Sequence, residues 1–331
     1  MVGHMYKSER SELRGAVLDG RYRVGACIGI GGTGVVFEAR RIADGGEVAI
    51  KTLRPCFLDH PDLGARLRRE SEVARHVVHP GIVPVLDEGT LADGSPYIVM
   101  ERVWGDSLAR ILMREGTLSS AEAAAIGIRV AAILHAVHAA GYTHRDIKPE
   151  HVLLSRAING ELCVRLLDFG VCASPTAPTD ERERELGRVY GTPTYVSPEQ
   201  AAGNPDVDGR ADIFSLGIVM FECLSGRVPF RASNVATLLL RILKEDAPRV
   251  GLLVPTVDLA LDEVVAKMLA RDVVDRYADA RSLGRALAPH ARNRRDIERR
   301  IAQRLAPMRK ASPSDAPTAA DQSPGNAFAA A

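Results

Sequence analysis

The rhythm of apolar and polar positions changes part-way along the 331-residue chain. Between Arg21 and Met100, short apolar runs at 22–28, 35–40, 47–53 and 97–100 are punctuated by the turn signals Asp44-Gly45-Gly46 and Asp93-Gly94. Alternation of this kind, bounded by such turns, predicts strands. One segment interrupts it. Over 63–77, Leu63, Leu67, Ala74 and Val77 recur at helical spacing, and Glu70 falls on the same inward stripe.

From Ser119 the period becomes helical. Ser119 and Glu122 stand at capping-box spacing before an Ala/Ile/Val-rich run that stops at Gly141. Further helices are predicted after Asp212 and over 235–244, 259–270 and 280–287. A small β-rich lobe with one helix, about 20–101, followed by a larger helical lobe, about 105–288, makes an α+β chain with a 1–19 extension before it. Beyond 288 the composition shifts twice. Residues 291–310 are Arg-rich with Ile297, Ile301 and Leu305 four apart, an amphipathic helix or linker within 289–310. It either packs on the large lobe or docks on acidic protein, membrane headgroups or nucleic acid, and Asp296 and Glu298 dilute its basic character. The Ala/Pro/Ser-rich 311–331 predicts a disordered tail.

A hydrophobic share of 46% is enough for a buried core, so a folded chain is expected. The net charge of +1 gives no global attraction to nucleic acid. Cys27, Cys56, Cys163, Cys172 and Cys223 are scattered without a C-x-x-C pair, which argues against a zinc knuckle or a disulfide framework and for a reducing cytoplasm. No uninterrupted apolar run reaches membrane-spanning length and no signal peptide is evident, so a soluble chain is expected. His135 and His138, three apart on a predicted helix, read as core or interfacial histidines, because no third metal ligand is in view.

Five motifs carry chemistry. Gly29-Ile30-Gly31-Gly32-Thr33-Gly34 lies between two predicted strands, where its backbone N–H groups could lie over phosphate oxygens; a plain glycine turn remains open. Val48-Ala49-Ile50-Lys51 sets an ammonium in an apolar strand, which calls for an anionic partner. Glu70 is that partner unless it merely snorkels to solvent. His144-Arg145-Asp146-Ile147-Lys148-Pro149 follows the long helix, and a short apolar strand at 164–167 delivers Asp168-Phe169-Gly170. Gly191-Thr192-Pro193-Thr194-Tyr195-Val196-Ser197-Pro198-Glu199 comes next. In this order, over about residues 20–288, the motifs resemble the bacterial, eukaryotic-like (Hanks-type) Ser/Thr protein kinases.

That resemblance implies a bilobal protein kinase fold that binds ATP and Mg²⁺ between its lobes and phosphorylates Ser/Thr hydroxyls of proteins, itself included. Asp146 would orient the hydroxyl and accept its proton, and Lys148 would neutralise the moving γ-phosphoryl. Lys51, paired with Glu70, would hold the α- and β-phosphates, and Asp168 would bind Mg²⁺. Ile28, Gly29, Gly31, Gly34, Val36 and Ala49 would cover the nucleotide, with Met100, Glu101 and Val103 beside it and Leu153 under the adenine. Phe169 would pack beneath the Glu70 helix. Lys148 and Thr192 are Ser/Thr-kinase traits. Glu199 would pair with Arg276, and Asp212 would anchor the catalytic loop.

The chain departs from the family at Pro149-Glu150-His151, where the pattern ends in Asn. That Asn supplies oxygen to a second Mg²⁺ and hydrogen-bonds the catalytic Asp, whereas imidazole offers nitrogen. His151 as a metal ligand therefore implies Mn²⁺ as an alternative to Mg²⁺ and a loss of roughly 10- to 100-fold in activity or affinity. The alternative is a nucleotide-binding pseudokinase or signalling scaffold. Arg145 implies control by a phosphate, yet 180–188 lacks Ser and Thr; hydroxyls occur earlier, at Ser174, Thr176 and Thr179. Glu183 or Glu185 would then supply the charge, or the run is simply a solvated face. Cys172 has no sequence signal for a lowered pKa. No nucleic-acid partner is expected, and oligomeric state is not encoded legibly.

Overall fold

Alternation in the first third of the chain builds one antiparallel sheet. In the computed structural model, which describes residues 10–57, 61–157, 159–170, 172 and 191–305, the strands are β1 (Val17–Leu18), β2 (Tyr22–Ile30), β3 (Gly34–Arg41), β4 (Glu47–Leu53), β5 (Val85–Thr90) and β6 (Pro96–Glu101). Helix α1 (Pro61–His76) falls between β4 and β5, and the strand order is β1-β2-β3-β4-β6-β5. Register sorts the side chains into two faces, because neighbouring residues point opposite ways. Val35, Phe37, Val48, Ile50, Tyr97 and Val99 form the lobe's own core. The pairings Val36↔Lys51, Ala49↔Met100 and Lys51↔Ile98 put those residues on the other face.

The chain before residue 20 belongs to this lobe in space. Leu13 joins the core, and the buried Arg10 donates to the Leu53 carbonyl (2.8 Å), to Ser95 Oγ (2.8 Å) and to Asp93 Oδ2 (2.6 Å). The packed unit thus extends to at least Arg10, outside the expected boundary near 20, because one buried guanidinium satisfies a strand end and a turn at once.

The larger lobe contains α2 (Leu108–Glu115), α3 (Ser120–Ala139), α4 (Pro198–Ala201), α5 (Arg210–Ser225), α6 (Val235–Lys244), α7 (Leu259–Met268), α8 (Ala280–Leu287) and α9 (Arg294–Arg304). A three-stranded sheet, β7 (Asp106–Ser107), β8 (Val152–Arg156) and β9 (Leu162–Leu166), carries the loops between α3 and the next helix. The capping box of Ser119 and Glu122 starts α3. Helix α3 is long and apolar enough to cross a membrane by length and composition only, a test that buried core helices also pass. Its apolarity has another cause: Ala124, Ala125, Val130, Ile133, Leu134 and Val137 are buried at the centre of the lobe core. Asp212 lies in the first turn of α5, fully buried, because the helix begins two residues earlier than expected.

Of the two readings of the basic helix, packing on the large lobe is the one observed. Ile297, Ile301, Ala302 and Leu305 are buried in its core. Glu298, 5% exposed, accepts both arms of Arg129 from α3 (2.8 and 2.7 Å), and Arg304 pairs with Glu115 and Glu122. The tail beyond 305, the first nine residues and the charge run at 180–188 lie outside the described residues, as do Ser174, Thr176, Thr179, Glu183 and Glu185.

Candidate active site

Strand β4 brings Lys51 to the cleft face, and α1 turns Glu70 toward it. Lys51 Nζ lies 2.6 Å from Glu70 Oε2 and 3.2 Å from Asp168 Oδ1. Two carboxylates thus share one ammonium. Burial disfavours the charge on Lys51, but Asp168 and then Glu70 outweigh it and raise its pKa. Glu70 is pushed up to about 7, first by burial, against the pull of Lys51 and with the help of the Asp168 charge. For Asp168, burial acts upward, yet Lys51 and then His151 hold it well below the ordinary carboxylate range. Glu70 is therefore an interior ion-pair partner and does not snorkel to solvent.

The glycine turn joins β2 to β3, closed by Gly31 N–H donating to the Gly34 carbonyl at 2.8 Å. Gly34 is the most tightly placed of these glycines: a Cβ would sit 3.2 Å from the Thr52 carbonyl oxygen and 3.3 Å from Lys51 Cε, so those neighbours would have to give slightly. Gly29 and Gly31 have room for a side chain, so their value lies in exposed backbone. Ile28 lies on β2, and Val36 and Ala49 share the Lys51 face. Met100 ends that face on β6, and the Glu101 carboxylate is engaged by Arg165 Nη2 at 3.0 Å. Val103 follows in the connection to the large lobe. Leu153 stands on β8 on the side opposite the buried Val152 and Leu154.

Asp146, Lys148 and Thr192 form a closed set. Lys148 Nζ donates to Asp146 Oδ2 (2.9 Å) and to Thr192 Oγ1 (2.7 Å). Asp146 Oδ1 accepts the Thr192 N–H (2.8 Å) and hydroxyl (3.1 Å). Gly191 makes this approach possible, since it has φ +96° and a Cβ would lie 2.7 Å from the Arg145 carbonyl oxygen. Burial would raise the Asp146 pKa, but His151 and Lys148 lower it.

The loop backbone is held from α5. Asp212 Oδ2 accepts the His144 N–H and Oδ1 the Arg145 N–H, both at 2.8 Å, which fixes Arg145 at φ +66°. His138 Nε2 lies 2.8 Å from the same Oδ2. This partner was missed by sequence reading, as was Gln200, whose Nε2 donates to the Arg145 carbonyl at 2.8 Å. No local signal announces either contact; both cross more than fifty residues. His135 is exposed, and no cluster of three or more His, Cys, Asp or Glu able to hold a metal occurs among the described residues. Phe169 is buried in the core that includes Val73 of α1 and Val77 just beyond its end, its ring 4.9 Å from that of His144. Cys172 is buried and its thiol is pushed up by that burial, so it is no reactive thiolate. Arg276 forks onto Glu199 with two 2.8 Å bonds.

His151 takes a position between both aspartates. Its Nδ1 lies 2.9 Å from the Asp146 carbonyl oxygen and 3.5 Å from Asp146 Oδ2, and its Nε2 lies 3.5 Å from Asp168 Oδ2. One duty expected of Asn, tying down Asp146, is thus retained through the backbone. Burial drives the imidazole down to about 4, against the two aspartates, so the ring is neutral at pH 7.

Glu70 and His151 have opposite effects on stability. Glu70 rises from 4.5 to about 7 on folding, so the folded chain holds the extra proton and stability falls as pH rises through that window. His151 drops from 6.5 to about 4, so the unfolded chain holds the extra proton and stability increases as pH climbs through that window. In nucleotide-free protein, His151→Asn should unmask a stability that falls between about pH 5 and 7, by at most about 1.4 kcal/mol of unfolding free energy per pH unit, seen as a falling melting temperature. Glu70→Gln should leave the opposite slope. Melting curves across this range check the assignment, and equal slopes in both variants would contradict it.

The sequence matches the protein kinase domain over residues 22–285. The serine/threonine-protein kinase PknH of Mycobacterium tuberculosis is 36% identical over 283 residues, covering 86% of this chain and 44% of that protein. The serine/threonine-protein kinase pkn3 of Myxococcus xanthus is 33% identical over 314 residues, covering 94% and 56%. The crystal structure of the Mycobacterium tuberculosis PknI kinase domain aligns with a TM-score of 0.65 at 28% identity, covering 84% of this chain and 99% of that one. The chain spans about half the length of the curated relatives it matches.

Proposed function

This chain belongs to the protein kinase domain family, and from that premise we propose that it transfers the γ-phosphoryl group of ATP to serine and threonine hydroxyls of proteins, its own included. The observation that carries the proposal is the closed Asp146–Lys148–Thr192 set lying beside the Lys51–Glu70–Asp168 cluster, with His151 in contact with both aspartates. One cluster suits an anionic donor; the other suits a hydroxyl acceptor.

Lys51, kept charged and oriented by Glu70, presents Nζ to the α- and β-phosphates. Asp168 and His151 are the residues that would hold a divalent cation, Mg²⁺ or Mn²⁺, which when bound neutralises charge on the phosphate oxygens. The donor set fits such an ion: a partly exposed carboxylate and an imidazole 3.5 Å apart, with phosphate oxygens left to complete the shell. Asp146 orients the incoming hydroxyl. As its oxygen bonds to the γ-phosphorus and the bond to the bridging oxygen breaks, releasing ADP, Asp146 takes the proton. Its lowered pKa makes it a weak base, so the transfer comes late, when the attacking oxygen has become acidic. Lys148 meets the charge on the moving group. The alternative of a module that binds nucleotide without transfer gains no support from this arrangement.

A cytoplasmic setting is part of the same proposal, supported by five free cysteines. The test is transfer of ³²P from γ-labelled ATP to the protein and to a generic basic protein, with Mg²⁺ and Mn²⁺ compared. Label on Ser or Thr, lost in Lys51→Met, is the expected result; intact nucleotide binding without any label would overturn the proposal.

A further inference from the structure

We propose that His151 turns the nucleotide-dependent cation site of this chain into a mixed nitrogen–oxygen site, with Nε2 as a ligand that selects Mn²⁺ over Mg²⁺. The inference rests on the kinase reading above and names the metal its site prefers.

A carbonyl oxygen only accepts, so the 2.9 Å contact from Nδ1 to the Asp146 carbonyl puts the ring proton on Nδ1. With Nδ1 committed to that carbonyl, Nε2 is the ring atom aimed at Asp168, 3.5 Å from its Oδ2. That separation is too long for a direct hydrogen bond. A single divalent ion at ordinary ligand distances of about 2.1 Å from each spans the gap.

The ring is not free to turn away. His151 is 9% exposed, its N–H donates to the Lys148 carbonyl at 3.0 Å, and its own carbonyl accepts the Leu167 N–H at 2.9 Å. The backbone on both sides of the imidazole is therefore pinned, and the hydrogen bond at Nδ1 sets the ring plane. Such an outer contact fixes tautomer and direction in histidine ligands generally.

The chemistry of the donor pair decides the ion. Mg²⁺ demands oxygen in a near-ideal octahedron, whereas first-row transition dications accept imidazole with affinity rising from Mn²⁺ along the series. Mn²⁺ is the weakest member of that series, so a preference for it over Mg²⁺ is the least the site should show. Two protein donors are too few to hold the ion alone, which makes its binding depend on phosphate oxygens from the nucleotide.

The test is pulsed EPR of the full chain with Mn²⁺ and ADP. Electron spin-echo modulation from a directly bound ¹⁴N is expected, replaced by a ¹⁵N signature in ¹⁵N-histidine-labelled protein. His151→Asn should abolish it and lower the Mn²⁺-over-Mg²⁺ affinity ratio, measured with ADP, by roughly 10- to 100-fold. Bound Mn²⁺ without nitrogen coupling in the unmutated protein would overturn the inference, whatever the variant does, and would mean that the ring serves only to tether the Asp146 backbone. Phosphotransfer in that same preparation would leave the kinase reading standing. Absence of ADP binding altogether would sink both.

Discussion

Asp146→Asn should leave ATP binding unchanged and lower phosphotransfer by about 10²- to 10⁴-fold. The substitution is nearly isosteric, and Asn Oδ1 can still accept the Thr192 N–H and hydroxyl that now meet Asp146 Oδ1. Its amide NH₂, however, would face Lys148 Nζ, two donors where a 2.9 Å ion pair stood. The variant therefore removes the proton acceptor and detaches the lysine at once. Lys51, Glu70 and Asp168 are untouched, so the loss should appear in kcat with KM for ATP nearly constant. Full activity in the variant would remove Asp146 from the mechanism.

Arg276→Ala should be the most destabilising single change in the large lobe outside its apolar core, costing about 3–5 kcal/mol. The Arg276 side chain is fully buried, and it donates to both oxygens of Glu199 and to the carbonyls of Ala270, Arg210 and Arg271. Its guanidinium also lies 4.8 Å from the centroid of the Phe214 ring. Truncation strands the Glu199 carboxylate, 12% exposed, and three carbonyls without a donor. A melting temperature lower by roughly 5–10 °C is expected. Arg276→Lys should recover only part of this, because an ammonium cannot fork onto the carboxylate. If both variants melted like the parent protein, the pair would have no structural role.

The parts of the site that were legible in the sequence are those in which a short stretch fixes its own geometry. Lys51 on an alternating strand, Glu70 on a helical stripe and Asp168 after a buried strand each announce a direction from period alone. Other features were hidden because their causes are distant or their composition misleads. Strand β5 reads Val85-Leu86-Asp87-Glu88-Gly89-Thr90, too polar for a strand by propensity. It sits at the sheet edge, where charge is tolerated, with Asp87 taken by Tyr22 and Arg21 and Glu88 by Ser71 and Arg75. Arg10 gave no local hint that it would dock on Leu53, Asp93 and Ser95. His138 was recognised as structural, but its partner Asp212 lies 74 residues away. His151 was legible as a departure from the family; that it keeps a bond to Asp146 depends on the three-dimensional turn of the ring.

The Asp212 carboxylate also sets a clock for the loop it holds. The His144 and Arg145 amides belong to no helix or strand, yet both point into a buried acceptor rooted in the first turn of α5. A left-handed Arg145 costs on the order of 1–3 kcal/mol and would relax quickly if that acceptor withdrew. In heavy water these two loop hydrogens should accordingly be replaced only as slowly as those in the middle of α5, because they open when the helix opens. The catalytic turn would then share the lifetime of the core beneath it.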